Sequence, residues 1–203
     1  MAVKLWAVRL DRALTQQEEE RLMRALPEER RERLLRMRDR QKRREPLCAY
    51  WILRAALKKQ YPQLKELPEM EYGPLGKPRF AKWPEIHFNL SHTDGAVLVG
   101  LSDEPIGVDI EKIRPVRGAL EARLGADTSE AFFREWTRRE ARAKRTETLV
   151  ALREELPMAP EEQIFYPEVF SGFAACICTT GQLLESIERY NLDELLAASE
   201  EMI

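Results

Sequence analysis

The sequence predicts an α+β protein assembled as a pseudo-dimer of two similar halves, each a small, mostly antiparallel sheet packed on helices. Two observations carry this. Segments that alternate apolar and polar residues sit beside segments of four-residue periodicity, in the order strand, helices, strands and then strand, helix, strands. A short polar stretch near Asp103 to Gly107 separates the two runs and divides the chain into 1–104 and 105–203. No close internal repeat accompanies the pattern, so the symmetry lies in element order alone.

Val3 to Leu10 is apolar on both faces and reads as an interior strand. Thr15 followed by Glu18 forms a capping box, which opens a helix to about Leu26. Pro27 restarts an Arg-rich helix at its first turn, where a missing N–H costs nothing. A third helix carries Leu47, Tyr50, Trp51, Arg54 and Leu57, with Pro46 in its first turn or at a kink. Prolines and glycines make 67–84 a loop with at most short strands. Ile86 to Ser91 alternates strictly, with His87, Asn89 and Ser91 on its polar face, and Ala96 to Leu101 pairs with it. Pro105 to Glu111 is a further strand. Ser129 caps a helix bearing Trp136 and Glu140, strands follow near Gln163 to Phe170 and Phe173 to Thr179, and a helical tail closes the chain, restarted by Asn191.

With 203 residues, 44% hydrophobic and 33% charged, the chain is long enough to bury a proper core. Its net charge of −2 rules out a polyelectrolyte binder, although the charge is uneven. Between Glu29 and Glu45 nine Lys or Arg face four acids. Three cysteines form no paired framework, and Cys176 and Cys178 share one face of a buried strand, so reduced thiols in the cytoplasm are expected. No signal peptide or membrane-length apolar run is expected.

Chemistry concentrates in two segments. In Ile106-Gly107-Val108-Asp109-Ile110-Glu111 the two-residue period sends both carboxylates out of one strand face. Trp136, Glu140 and Lys144 recur every four residues, one stripe of a helix. If that helix packs across the strand, Glu140 completes a three-carboxylate oxygen site suited to Mg²⁺; the plainer account is a solvated strand edge beside one more charged helix.

Four motifs then resemble a known family. Gly76-Lys77-Pro78, Phe88-Asn89-Leu90-Ser91-His92-Thr93, Gly107-Val108-Asp109-Ile110-Glu111 and the Trp136-x-x-Arg139-Glu140-x-x-x-Lys144 helix follow one another in the order of the 4′-phosphopantetheinyl transferases, in their long, surfactin-synthetase-activating type. The resemblance implies a monomer that moves the phosphopantetheine arm of coenzyme A to a serine of an apo acyl or peptidyl carrier protein, with Mg²⁺, releasing adenosine 3′,5′-bisphosphate. It implies that Asp109, Glu111 and Glu140 bind the metal and that Glu140 is also the base for the attacking serine. Ser91 and His92 match residues on the coenzyme's phosphates, His92 on the 3′-phosphate, with Arg43 or Arg44 facing that phosphate too. Lys77 and Pro78 match the loop beside the adenine, and Lys144 the lysine reaching the pyrophosphate. Arg139 stands where the family usually has lysine, keeps that charge and is expected to bind the coenzyme as well, and Arg145-Thr146-Glu147 replaces a glycine-containing turn. Nearby cations are expected to keep the pKa of Glu140 low. The segment holding Ile113, Pro115, Val116 and Leu120 is expected to cradle the carrier helix.

Two other classes compete. A nucleic-acid binder would use the basic helix from Arg30 to Arg44, but acids are mixed into it and it lacks stacking aromatics, so no nucleic-acid partner is expected. A relative that binds coenzyme A or a carrier protein without turnover would have no reason to keep Asp109, Glu111, Glu140 and Lys144 together.

Overall fold

The computed structural model describes residues 3–64, 66–116, 124–154 and 157–202. In chain order they form β1 (Val3–Arg9), α1 (Gln16–Arg24), α2 (Glu28–Leu35), a 3₁₀ turn (Gln41–Arg43), α3 (Arg44–Gln60), β2 (Met70–Tyr72), β3 (Pro78–Phe80), β4 (His87–Thr93) and β5 (Ala96–Ser102). There follow β6 (Ile106–Lys112), α4 (Ser129–Thr146), α5 (Val150–Arg153), β7 (Gln163–Phe165), β8 (Phe173–Thr179), β9 (Leu183–Asn191) and α6 (Leu192–Glu200).

A mixed α+β architecture results, with small sheets whose pairings are antiparallel except that of β1 with β9. One sheet has the order β4-β5-β1-β9, the other β6-β8-β7, and β2 and β3 form a separate hairpin. As its two-faced apolarity requires, β1 is interior and feeds two cores. Trp6 and Val8 join the core with α3 and with Leu192, Leu195 and Leu196 of α6. Val3, Leu5 and Ala7 join a second core with Ile106, Val108 and Ile110 of β6 and with Ala175 and Ile177 of β8. The two sheets therefore pack face to face, α3 and α6 cover the outer face of the first, and α4 covers the outer face of the second. Gly100 permits the close approach between sheets, since a methyl there would fall 2.7 Å from Ile106 and 2.9 Å from Val108.

Several local expectations meet their structure. Thr15 and Glu18 make the reciprocal capping box of α1, and Asn191 with Glu194 makes another on α6. The strand expected over 86–91 forms as His87–Thr93 and pairs with Ala96–Ser102 as foreseen, and Cys176 and Cys178 lie buried on one face of β8.

Four expectations are corrected. The residues before Asn191 are not helical: β9 pairs parallel with β1, a long-range hydrogen-bonding gain that local periodicity cannot register. The basic stretch is not one helix, because α2 ends at Leu35 and the chain turns before α3. Pro27 precedes α2 as its cap rather than lying in its first turn. The cap of α4 is Thr128, whose hydroxyl accepts from the Ala131 N–H, while the Ser129 hydroxyl accepts from the Val116 N–H instead.

Candidate functional site

The site begins with a glycine. A side chain at Gly107 would collide with the Ala141 carbonyl and fall 2.6 Å from the Arg145 nitrogen. Its absence lets α4 lie directly on β6, on the face from which Asp109 and Glu111 project. That seating is how a helix stripe and a strand face distant in sequence come to share one site. The opposite edge of β6 pairs with β8, leaving the N–H groups of Val108, Ile110 and Lys112 to donate to other partners. The polar face of β4 supplies them. Asn89 Oδ1 accepts from Val108 at 2.8 Å, Ser91 Oγ from Ile110 at 3.3 Å and Thr93 Oγ1 from Lys112 at 3.4 Å. Three side chains thus tie edge strand β4 to edge strand β6 along one side of the two face-to-face sheets.

The carboxylates sit on this seam. Asp109 is buried, and its Oδ1 accepts from Ser91 Oγ at 2.7 Å and from Lys144 Nζ at 2.6 Å. The same ammonium donates to Ser91 Oγ at 3.1 Å and to the Val108 carbonyl at 3.3 Å. Asp109 Oδ2 is buried without a hydrogen-bond partner. Glu111 accepts from Thr93 at 2.9 Å. Burial lifts the Glu111 carboxyl above its ordinary range; the Thr93 hydrogen bond opposes this and the charge on Asp109 adds to it. Glu140 is lifted too, first by burial, with Lys144 opposing and Asp109 and Glu111 reinforcing. The expectation of a low pKa for Glu140 is therefore corrected: one lysine does not outweigh desolvation and two neighbouring acids.

Among the described residues no three of His, Cys, Asp and Glu are gathered closely enough to hold a metal as they stand. The donors nevertheless suit a hard divalent cation. All are oxygens, one is buried and unsatisfied, and the two half-buried glutamates are short of positive charge.

His92 lies within β4 rather than beyond its end, so alternation sends it to the side opposite Ser91. There it lines a cleft of about 850 Å³ with Arg40, Lys42, Arg44, Glu45 and Thr93. The imidazole's pKa is depressed by the desolvating walls; Glu45 opposes, and the cations of Lys144 and Arg30 assist. Thr93, on the cleft wall, joins this space to Glu111. Of the two arginines, Arg44 lines the cleft and pairs with Glu45 at 2.6 Å, whereas Arg43 donates to the Met37 carbonyl at 2.7 Å and the Leu35 carbonyl at 3.2 Å. Lys77 and Pro78 line a separate cleft of about 310 Å³ with Trp83, His87 and Glu147, and Lys77 donates to the Ile106 carbonyl at 3.0 Å. Arg139 donates to Glu135 at 2.7 Å. Ile113 and Val116 are half-buried, the Val116 N–H donating to Ser129 at the start of α4, and Leu120 lies outside the described residues.

One constellation was missed. On the other flank of α4, Arg142 grips Glu162 through Nε at 2.6 Å and Nη2 at 3.2 Å, and Arg145 approaches the same carboxylate at 3.3 Å. Cys178 and the Ala159 N–H also donate to Glu162. Burial alone would raise the Glu162 carboxyl, but these donors hold it at about 2. The sequence signal was present only as Arg142 falling outside the Trp136–Glu140–Lys144 stripe, with nothing to name its partner twenty residues on.

No family model matches the chain. It is 27% identical over 126 residues to the 4′-phosphopantetheinyl transferase Sfp of Bacillus subtilis strain 168, covering 62% of this chain and 56% of that protein. Over 97 residues it is 39% identical to the 4′-phosphopantetheinyl transferase AcpT of Salmonella typhimurium and 38% identical to AcpT of Escherichia coli K12, covering 40% of this chain and 50% of each of those proteins. The chain thus spans about half the length of the curated relatives it matches. No helix among the described residues is long and apolar enough to cross a membrane.

Proposed function

We propose that this protein transfers the 4′-phosphopantetheine group of coenzyme A to a serine of an apo acyl or peptidyl carrier protein, releasing adenosine 3′,5′-bisphosphate. The observation that carries the reading is the seating of α4 on Gly107, which joins Glu140 and Lys144 of one segment to Asp109 and Glu111 of another. These are the groups the sequence motifs single out, and the relatives named above carry that activity in their names.

Asp109, Glu111 and Glu140 would hold Mg²⁺, which when bound supplies neutralisation of the pyrophosphate's charge. Glu140 takes the proton of the acceptor serine as that oxygen attacks the β-phosphorus; a positioned base contributes roughly 10²–10⁴-fold. The bond from the β-phosphorus to the bridging oxygen breaks, and Lys144 offsets charge on a phosphate oxygen as a point cation. His92 and Arg44 bind the 3′-phosphate in the large cleft, Ser91 orients Asp109, and Lys77 and Pro78 flank the base. In this reading Arg43 shapes the end of α2 instead of touching the coenzyme, and Arg139 sets Glu135. The long type, the two-half organisation meeting near residues 104 and 105, a monomeric state and a cytoplasmic location belong to the same reading.

The test is direct. Incubation with coenzyme A, Mg²⁺ and apo carrier proteins of fatty-acid, polyketide and nonribosomal peptide synthesis should add one phosphopantetheine mass to at least one of them. No gain on any carrier sinks the proposal, and coenzyme binding without a gain favours the non-catalytic relative. Arg44→Gln should raise KM for coenzyme A more than for its 3′-dephospho form; an equal rise would remove Arg44 from the 3′-phosphate.

A further inference from the structure

Lys144 occupies an unusual position for a residue that is to neutralise a substrate phosphate. Its ammonium lies among three oxygens of the protein itself: Asp109 Oδ1 at 2.6 Å, Ser91 Oγ at 3.1 Å and the Val108 carbonyl at 3.3 Å. An all-oxygen nest around one positive charge is the environment a hard cation requires. A divalent ion and an ammonium cannot both sit against Asp109 Oδ1, because like charges a few ångströms apart in a partly buried site repel strongly. One of them must yield. The Asp109 side chain is only 5% exposed and tied to Ser91, whereas that of Lys144 is 27% exposed at the end of a flexible four-carbon stem. The lysine is the part that can move.

We propose that Lys144 is a resident stand-in for the divalent cation, holding Asp109 while the ion is absent and exchanging with it when the ion arrives. The inference rests on the reading of Asp109, Glu111 and Glu140 as metal-binding carboxylates. Exchange does two things at once. It gives the unpartnered Asp109 Oδ2 a ligand role that removes the penalty of a buried unsatisfied oxygen, and it frees the ammonium for a phosphate. Ion loading and phosphate capture become linked through one side chain, so each favours the other.

The probe is Mn²⁺, measured by electron paramagnetic resonance on the full chain without coenzyme. Lys144→Met keeps most of the stem and removes the charge, and should tighten Mn²⁺ binding by roughly tenfold or more, since the ion no longer competes with a tethered cation. Asp109→Asn should abolish binding in either background. In the native protein, labelling of Lys144 by a small amine-reactive reagent at fixed pH should rise severalfold on adding Mn²⁺, a readout that needs no variant to fold. If Asp109→Asn abolishes binding but Lys144→Met leaves it unchanged or weaker, or native labelling does not rise on saturation, the exchange is wrong while the carboxylate site stands. If neither the native protein nor Lys144→Met binds Mn²⁺, or Asp109→Asn binds as well as they do, the carboxylate reading falls and the exchange falls with it.

Discussion

The two flanks of α4 each carry a cation bonded to a buried carboxylate, yet they are built for opposite ends. Arg142 and Glu162 are 5% and 2% exposed at the side chain, and the carboxylate collects donors from Arg142, Arg145, Cys178 and the Ala159 backbone. Its charge is fully answered. On the other flank Lys144 answers Asp109 only in part, and two further acids, Glu111 and Glu140, are pressed toward the same lysine. Arginine serves the first flank because its planar fork binds a carboxylate bidentately and stays charged; lysine serves the second because a point charge on a flexible stem can let go. The clamp fixes the helix, and the site uses that fixity to hold an excess of negative charge in place.

The largest expected effect breaks the clamp. Glu162→Ala takes the carboxylate from a buried guanidinium, which still donates to the Pro157 carbonyl at 3.0 Å, and should cost about 3–5 kcal/mol in urea unfolding. A loss below 1 kcal/mol would mean that the pair has no role in seating α4. Gly107→Ala comes next and strikes both flanks together. Its methyl meets helix backbone, which cannot swing aside, so overpacking of roughly 1–3 kcal/mol is expected together with a fall in transferase activity as Glu140 is lifted from Asp109. Wild-type activity in a stably folded Gly107→Ala protein would break the claim that this contact builds the site.

How far the two flanks were legible in the sequence follows the same division. Asp109 and Glu111 were readable because a strand's period of two is strict, and Glu140 with Lys144 because a four-residue stripe is. Neither pattern required knowing a partner. The clamp was not readable: Arg142 is one of many charges in a charged helix, and its buried state is decided by 157–162, which no periodicity links to it. The tail failed for a related reason. Leu183 to Tyr190 gains its strand hydrogen bonds from β1, at the far end of the chain, and only the assembled sheet offers them. Strict alternation ends the expected strand at Ser91, yet pairing with β5 extends it through Thr93 and takes in His92. The role of Gly107 is written in a contact with α4, and a lone glycine in a strand announces only that something comes close.

A smaller effect of opposite sign distinguishes the flanks again. Glu140→Gln removes one of the unanswered charges and should raise the thermal midpoint at neutral pH while abolishing or severely reducing transfer. A carboxyl whose folded pKa is raised weakens the fold once it ionises, so an uncharged isostere relieves the strain. A lowered midpoint would show that Glu140 is compensated in the free protein after all.

The subtlest expectation concerns acid. Glu111 and Glu140 have folded pKa values above their unfolded ones, so their contribution is fully present below the ordinary carboxylate pKa of 4.5 and lost as pH rises through the raised values. Glu162 runs the other way. Held at about 2 against 4.5, it contributes above 4.5 and its contribution is lost as pH falls toward 2. Acidification from neutrality should therefore first relieve the site and only then undo the clamp, giving stability a shallow maximum near the ordinary carboxylate range. Glu18, paired with Arg12 and also held at about 2, adds to the acid limb, but that pair is 21% and 39% exposed and should fade in high salt. The buried Glu162 part should not. Urea midpoints measured from pH 7 to pH 2 in low and high salt separate the three contributions. In Glu140→Gln the gain between pH 7 and 4.5 should shrink, and in Glu162→Gln the salt-resistant loss below 4.5 should shrink. If Glu140→Gln leaves the upper limb untouched, the excess charge on that flank of α4 is already answered in the free protein, and the contrast between the two flanks disappears.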